Sequence, residues 1–294
     1  MAKTSKEIFA KIIETFKAEI EKGNNPFYIN NNQTNFSNDK TYTGINNPHL
    51  AYVAKLNGYE SNEWITYKQA IKLKGHVHKG EVGTPVLFFK PSIVVNYSIG
   101  GKPHSSWSNQ GNIDDAIKEV KKKHGNATNM KGSKTFVLKH YMVFNICQTN
   151  LRPATIEKQA LVSPQNIKIA AGNNLTLIDG KTPFASYDVE MDVLDGAFSC
   201  VDYNLLYQAI VESTKHESRE NRDLEFEEEE IVKAIAASYL SYSSGVPFDL
   251  NESIVEILLE KIDSNPNSLW KYARLADDAF KHIQTWVQNI GKVA

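Results

Sequence analysis

Apolar residues recur at helical spacing from the start of the chain. Ile8, Phe9, Ile12, Ile13, Phe16 and Ile20 mark one face of a helix over residues 4–22, and Gly23 stands where a C-cap belongs. The Asn-rich stretch "NNPFYINNNQTNFSNDKTYTG" has no period and predicts a surface loop. Helices follow over residues 47–56 and 66–74, the second with Thr66 as N-cap and Gly75 as C-cap. The period then shortens. "HVHKGEVGTPVLFFKP" alternates and turns at Gly80 and Gly83, which predicts a hairpin, and "SIVVNYSI" continues as strand. "NIDDAIKEVKKKHGN" predicts a short helix inside a polar insertion, and "TFVLKHYMVFNICQT" a strong strand. Beyond a polar connector, "LTLIDG" and "SYDVEMDV" read as strands, and from Asp202 onward the pattern is helical. Leu269, Tyr272, Ala273, Ala276, Phe280, Ile283 and Val287 form one stripe of a final helix, a packing face. The order predicts an α+β fold. N-terminal helices with a small, mainly antiparallel sheet come first, then a mostly helical part, divided near residues 150–162 into domains 1–150 and 151–294.

Composition adds limits. The 294 residues are 41% hydrophobic and 23% charged, as in globular proteins generally. No apolar run approaches the length of a membrane span, and the N-terminus lacks the pattern of a secretory signal. Cys147 and Cys200 have no framework or metal spacing, so both are expected reduced and partly buried. The expected location is the cytoplasm.

Net charge is −1, but its halves differ. Residues 1–150 hold 20 Lys and no Arg against 11 acidic residues; residues 151–294 hold 13 Lys and Arg against 23. A basic half beside an acidic half predicts different partners for each, with phosphates the natural partner of the first.

The candidate chemistry of the basic half lies between Tyr42 and Lys90. Lys68, Lys72, Lys74, Lys79 and Lys90 suit backbone phosphates. Tyr42, Tyr59, Trp64 and Tyr67 offer rings for stacking on unpaired bases. Asn46 and Gln69 suit hydrogen bonds to backbone or base edges, and His76 and His78 share one face of an alternating stretch. Gly44, Gly80 and Gly83 permit turns or close approach. The plainer alternatives are core aromatics and a solvated lysine face.

The order of "YTGIN", "WITYKQA", "VHKGEVGTPVLF" and "YMVFNICQT" resembles the N-terminal domain of the ArdC antirestriction family, whose members occur on conjugative plasmids and phages. The resemblance implies that the first domain binds single-stranded DNA. It also implies a second, zincin-like metallopeptidase domain. That domain's helix reads H-E-x-x-H-W-T-G-H, followed by S-R-L-x-R. Two His four apart grip one zinc ion and the Glu polarises its water. Set against that pattern, Thr214, His216, Ser218, Arg219 and Arg222 match the flanking positions. "EEIVKAIAASYL" is similar to the family's E-E-L-V-A-E helix. The catalytic positions do not match. Gln208 replaces the first His, Ala209 the Glu, Glu212 the second His and Ala234 the last Glu of the later motif. This predicts a degenerate zincin-like domain with no catalytic residue, no metal and no cofactor.

The expected function is non-enzymatic binding of single-stranded DNA, protecting it from host defence. Two alternatives stand beside it. One is a DNA mimic that inhibits a host defence protein through the acidic run at 225–230. The other is a metallopeptidase with a metal site rewired around Glu212 and His216, with Glu229 or Glu230 near by. Oligomeric state is not readable from the chain.

Overall fold

In the computed structural model the described residues are 3–30, 32–108, 111–151, 162–180, 184–196 and 202–290. They form an α+β fold of nine helices and two small sheets. By contacts, the chain divides at places other than the break read from the sequence. One compact unit comprises residues 1–9 and 85–142; the other comprises 10–84 and 143–294. Residues 152–161 of the predicted connector lie outside the described residues.

The smaller unit is a sheet with one helix packed on it. Strand β3 (Thr84–Ile99) turns back into β4 (Lys102–Ser108), with Ile99 opposite Lys102. Gly100 and Gly101 both have positive φ, 56° and 77°, which is what a two-residue hairpin turn demands. That glycine pair is the signal of the hairpin. The hairpin expected around Gly80 and Gly83 is absent: residues 78–83 carry no strand, and Val77 makes only an isolated bridge to Thr149. Helix α4 (Ile113–Lys123) is capped by Asn112 and has Asp114 and Asp115 at its start and Lys121–Lys123 at its end, each sign matched to the helix dipole. Its Ala116 and Val120 pack with Ile93, Val95 and Tyr97 of β3 in one apolar cluster. Strand β5 (Thr128–Asn145) completes the order β5-β3-β4.

The larger unit joins the N-terminal helices to the C-terminal ones. Helix α1 (Ser5–Glu21) contributes Ile12, Ile13, Phe16 and Ile20 to the core. Helix α2 (Asn46–Asn57) ends at Gly58 in the left-handed region. Strand β1 (Thr34–Asn35) runs parallel to β2 (Glu63–Ile65), which pairs antiparallel with the last residues of β5. Helix α3 (Tyr67–Lys72) begins with a full capping box between Thr66 and Gln69. It stops at Leu73 rather than at Gly75. Gly75 is needed for space: a Cβ there would lie 2.3 Å from Leu151 Cγ.

Further along, α5 (Pro164–Asn174) leads to β6 (Thr176–Asp179). The expected strand "SYDVEMDV" is two strands, β7 (Ala185–Asp188) and β8 (Val193–Gly196). Asp188 breaks it, because its carboxylate accepts from the backbone N–H of Glu190 (2.9 Å) and Met191 (3.0 Å) and so forms a turn. Helices α6 (Tyr203–Ser213), α7 (Phe226–Ser244), α8 (Glu252–Ser264) and α9 (Asn267–Asn289) complete the chain. Helix α7 packs against both α6 and α9, and Tyr239 meets Phe280 at 5.7 Å between ring centroids. The stripe on α9 is buried as predicted from Leu269 to Ile283, and Val287 is half-buried. Contacts such as Asn25 Nδ2 to Ser238 Oγ (3.0 Å) tie the two ends of this unit. Cys147 is exposed rather than partly buried, and Cys200 lies outside the described residues. Among the described residues no helix is long and apolar enough to cross a membrane.

Candidate functional site

The capping box sets the basic segment. Thr66 and Gln69 fix the first turn of α3, so Tyr67, Lys68 and Lys72 project from a short, well-anchored helix. All three are exposed, Tyr67 at 57%. Lys74, His76, His78 and Lys79 continue along the exposed loop that follows. The two histidine rings meet edge to face at 5.7 Å, and the His76 N–H donates to Asn150 Oδ1 at 2.7 Å. These seven residues share one stretch of surface chain. Lys90, half-buried, belongs to the smaller unit.

Three predicted contacts lie inside, and a fourth, Gln69, is half-buried and engaged by its neighbours. Trp64 has no exposed surface; its Nε1–H donates to Gln33 Oε1 at 2.7 Å. Its ring is a core element, not a stacking platform. Tyr42 and Asn46 are also buried. Gln69 is engaged by the Thr66 backbone N–H (2.9 Å), by Asn35 and by Ser37 (2.7 Å), so its amide organises the loop–helix junction. Amides and rings of this kind read the same in sequence whether they face solvent or close a polar core. Tyr59, half-buried, packs edge-on against Trp64.

The helices that carry the positions compared with the metal-binding pattern are α6 and α7. Gln208 donates its amide N–H to the Asn204 carbonyl at 3.2 Å along its own helix. Ala209 is buried and brings no heteroatom. Glu212 accepts from Lys215 Nζ at 2.8 Å and faces Lys233 Nζ at 3.6 Å; Lys233 also pairs with Glu230. Ala234 is buried in α7. An amide and one lysine-bound carboxylate do not make a zinc donor set. Among the described residues no three His, Cys, Asp or Glu side chains are placed to share a metal. His216 lies in the turn beyond α6, with Nδ1 accepting from the Ser218 N–H at 3.2 Å.

The element after α6 is held by two arginines. Arg222 bonds Glu229 through Nε (2.9 Å) and Nη2 (2.6 Å), and Thr214 Oγ1 through Nη1 (3.1 Å). Arg219 donates to the Ser213 carbonyl (2.7 Å), to Tyr187 Oη (2.8 Å) and to both carboxylate oxygens of Asp192. Tyr187 Oη–H donates to Asp192 at 2.6 Å. Arg219 holds the Asp192 carboxyl down, to about 2. The arginines were found in sequence by their matched spacing. Asp192, Tyr187 and Lys233 were not, since nothing local marks them as partners.

These features define an α+β protein with a basic sheet-and-helix unit and a helical unit whose paired helices are closed by internal ion pairs. Residues 2–144 match a family model, the N-terminal domain of anti-restriction factor ArdC, and that part of the chain belongs to the family. Two crystal structures of the antirestriction ArdC protein from plasmid R388, one metal-free and one Mn(II)-bound, share its fold. Each has a TM-score of 0.68 and 23% identity, and the match covers 96% of this chain and 98% of that one. A DNA primase, TraC of Escherichia coli, is 25% identical over 309 residues, covering 95% of this chain. The chain spans about a fifth of that relative's length, 20%.

Proposed function

We propose that the protein is a non-enzymatic, single-stranded-DNA-binding anti-restriction factor of the phage or plasmid kind, acting by occupying DNA that host defence would otherwise reach. The observation that carries this reading is the placement of charge. The smaller unit holds 11 Lys against 4 acidic residues, net +7, while the larger holds 22 basic against 30 acidic, net −8. Concentrated positive charge on one compact unit gives sequence-independent affinity for phosphates. Lys68, Lys72, Lys74 and Lys79 add cationic side chains around α3, with Tyr67 as an exposed ring and His76 and His78 beside them.

The helical unit is a pseudo-zincin in this reading. Gln208, Ala209, Glu212 and Ala234 supply neither a metal donor set nor a proton carrier. The DNA-mimic alternative gains nothing from the acidic run. Glu227 pairs with Lys261, Glu228 with Lys271, Glu229 with Arg222 and Glu230 with Lys233, so these carboxylates are neutralised within the chain.

The test is an anisotropy titration of the full chain against labelled single-stranded and duplex oligonucleotides over a range of salt. Tighter binding to the single strand, weakening steeply as salt rises, is expected. Absence of single-strand binding at low salt overturns the reading.

A further inference from the structure

Helix α4 covers one face of the sheet of the smaller unit beside Ile93, Val95 and Tyr97, and the opposite face is exposed in part. On the covered face, Ile93, Val95 and Tyr97 of β3 meet α4. Met130 of β5 joins that cluster, and a Cβ on Gly132 would lie 2.4 Å from Ile113 Cγ2 of α4. His140 Nδ1 lies 2.8 Å from Ser5 Oγ at the start of α1. Side chains alternate along a strand. The remaining parity faces the other way: Phe88, Lys90 and Val94 on β3, and Lys131, Lys139 and Tyr141 on β5; Val86 and Ser92 of the same parity are buried, so this side is exposed around Phe88, Lys90 and Tyr141 and again at Trp107.

Direct contacts agree with this alternation. The Phe88 and Tyr141 rings, on neighbouring strands, are 5.7 Å apart between centroids. Val94 is the cross-strand partner of Trp107 on β4, so Trp107 shares the open face. Phe88 is 38% exposed, Tyr141 39% and Trp107 59%, although such side chains are ordinarily inside. Lysines alternate with these rings: Lys90 is two residues from Phe88, and Lys139 two from Tyr141. The Val94–Trp107 pair lies six residues along β3, roughly 20 Å from Phe88.

We infer that this open face is the single-strand platform, on which Phe88 and Tyr141 stack bases, Lys90 and Lys139 hold the adjoining phosphates, and Trp107 offers a second stacking position. The inference rests on the single-strand-binding reading above and gives it a place. The net charge of +7 on this unit matches a polyanion. Exposed rings separated by cations suit an unpaired strand, whose base faces are free, better than a duplex, whose base faces are stacked.

The experiment uses the full chain and an oligothymidylate probe. Phe88→Ala/Tyr141→Ala is expected to weaken binding about tenfold or more, as loss of base stacking does. Lys90→Ala/Lys139→Ala is expected to lower the slope of log affinity against log salt by about 1.4, two phosphates' worth on a single strand. If the parent chain binds the probe and both double variants bind equally well, the platform is overturned while the single-strand reading survives. If the parent chain does not bind, both fall. Photo-cross-linking of the unaltered chain to an iodouracil-substituted oligonucleotide guards against a misfolded variant. Adducts on Phe88, Trp107 or Tyr141 are expected; adducts confined to peptides outside residues 85–142 overturn the platform.

Discussion

Arg222 and Glu229 form a two-pronged ion pair closed off from solvent: Nε to Oε2 is 2.9 Å, Nη2 to Oε1 is 2.6 Å, and their side chains are 3% and 7% exposed. The pair joins the segment after α6 to the first turn of α7. Removing one partner leaves a buried charge unpaired. Arg222→Ala is expected to destabilise the fold by about 3–5 kcal/mol. The double variant Arg222→Met/Glu229→Leu, which removes both charges, is expected to lose markedly less. Chemical denaturation of the three chains reads the difference. Equal losses in the single and double variants would show that the charge pair itself carries little.

Asp192 and Arg219 predict a pH dependence. Asp192 faces Arg219, Tyr187 and His216, and its carboxyl is lowered from 3.8 to about 2, chiefly by the Arg219 hydrogen bonds. A carboxyl depressed in the folded state stabilises fully above its unfolded value. That stabilisation is therefore present above about pH 4 and is lost as pH falls towards about 2. Thermal unfolding from pH 5 downward should show Asp192→Asn losing less stability than the parent chain across this window. Parallel curves would remove the pair from the acid transition.

Trp64 and Tyr67 separate stability from binding. Trp64→Phe strands the Gln33 amide oxygen in the core and is expected to cost about 1–3 kcal/mol of stability, with affinity for a single strand unchanged. Tyr67→Ala, at an exposed ring, is expected to leave the melting temperature in place and lower that affinity. A Trp64 variant that folds normally but loses the strand would contradict the burial of its ring as its role.

Metal should make no difference. Glu212 is held by Lys215 and Lys233, and Gln208 is a poor zinc ligand, so added Zn²⁺ or Mn²⁺ is expected to leave the melting temperature unchanged, as is treatment with a chelator. Anything that binds the folded state alone raises that temperature with concentration. A concentration-dependent rise abolished by Glu212→Ala would reinstate a metal site.

Periodicity was enough to place α1 and α9, because a helix that buries one face must repeat its apolar residues near every 3.6 positions. Capping residues marked α3, and matched motifs marked the ArdC domain and the altered α6 positions. Strand ends were less legible. Asp188 turns a run that alternates like a single strand, and the Gly100–Gly101 turn with strand β4 fell in a stretch read as a polar insertion. The side chains of the candidate DNA site were legible only as types. Trp64 and Tyr67 stand three residues apart with similar chemistry, yet one fills the core and the other faces solvent.

The sequence by itself determined the α+β class, the family of the N-terminal domain and the uneven charge. All of these depend on residue identity and local order. Only the tertiary structure decided which rings are exposed, which carboxylates are already paired, and that Phe88 and Tyr141 meet across neighbouring strands. Those properties depend on contacts between residues far apart in the chain. Helix α4 packs on one side of the sheet, over Ile93, Val95 and Tyr97, and the alternation of Phe88, Lys90, Lys139 and Tyr141 decides what the exposed part of the other side presents.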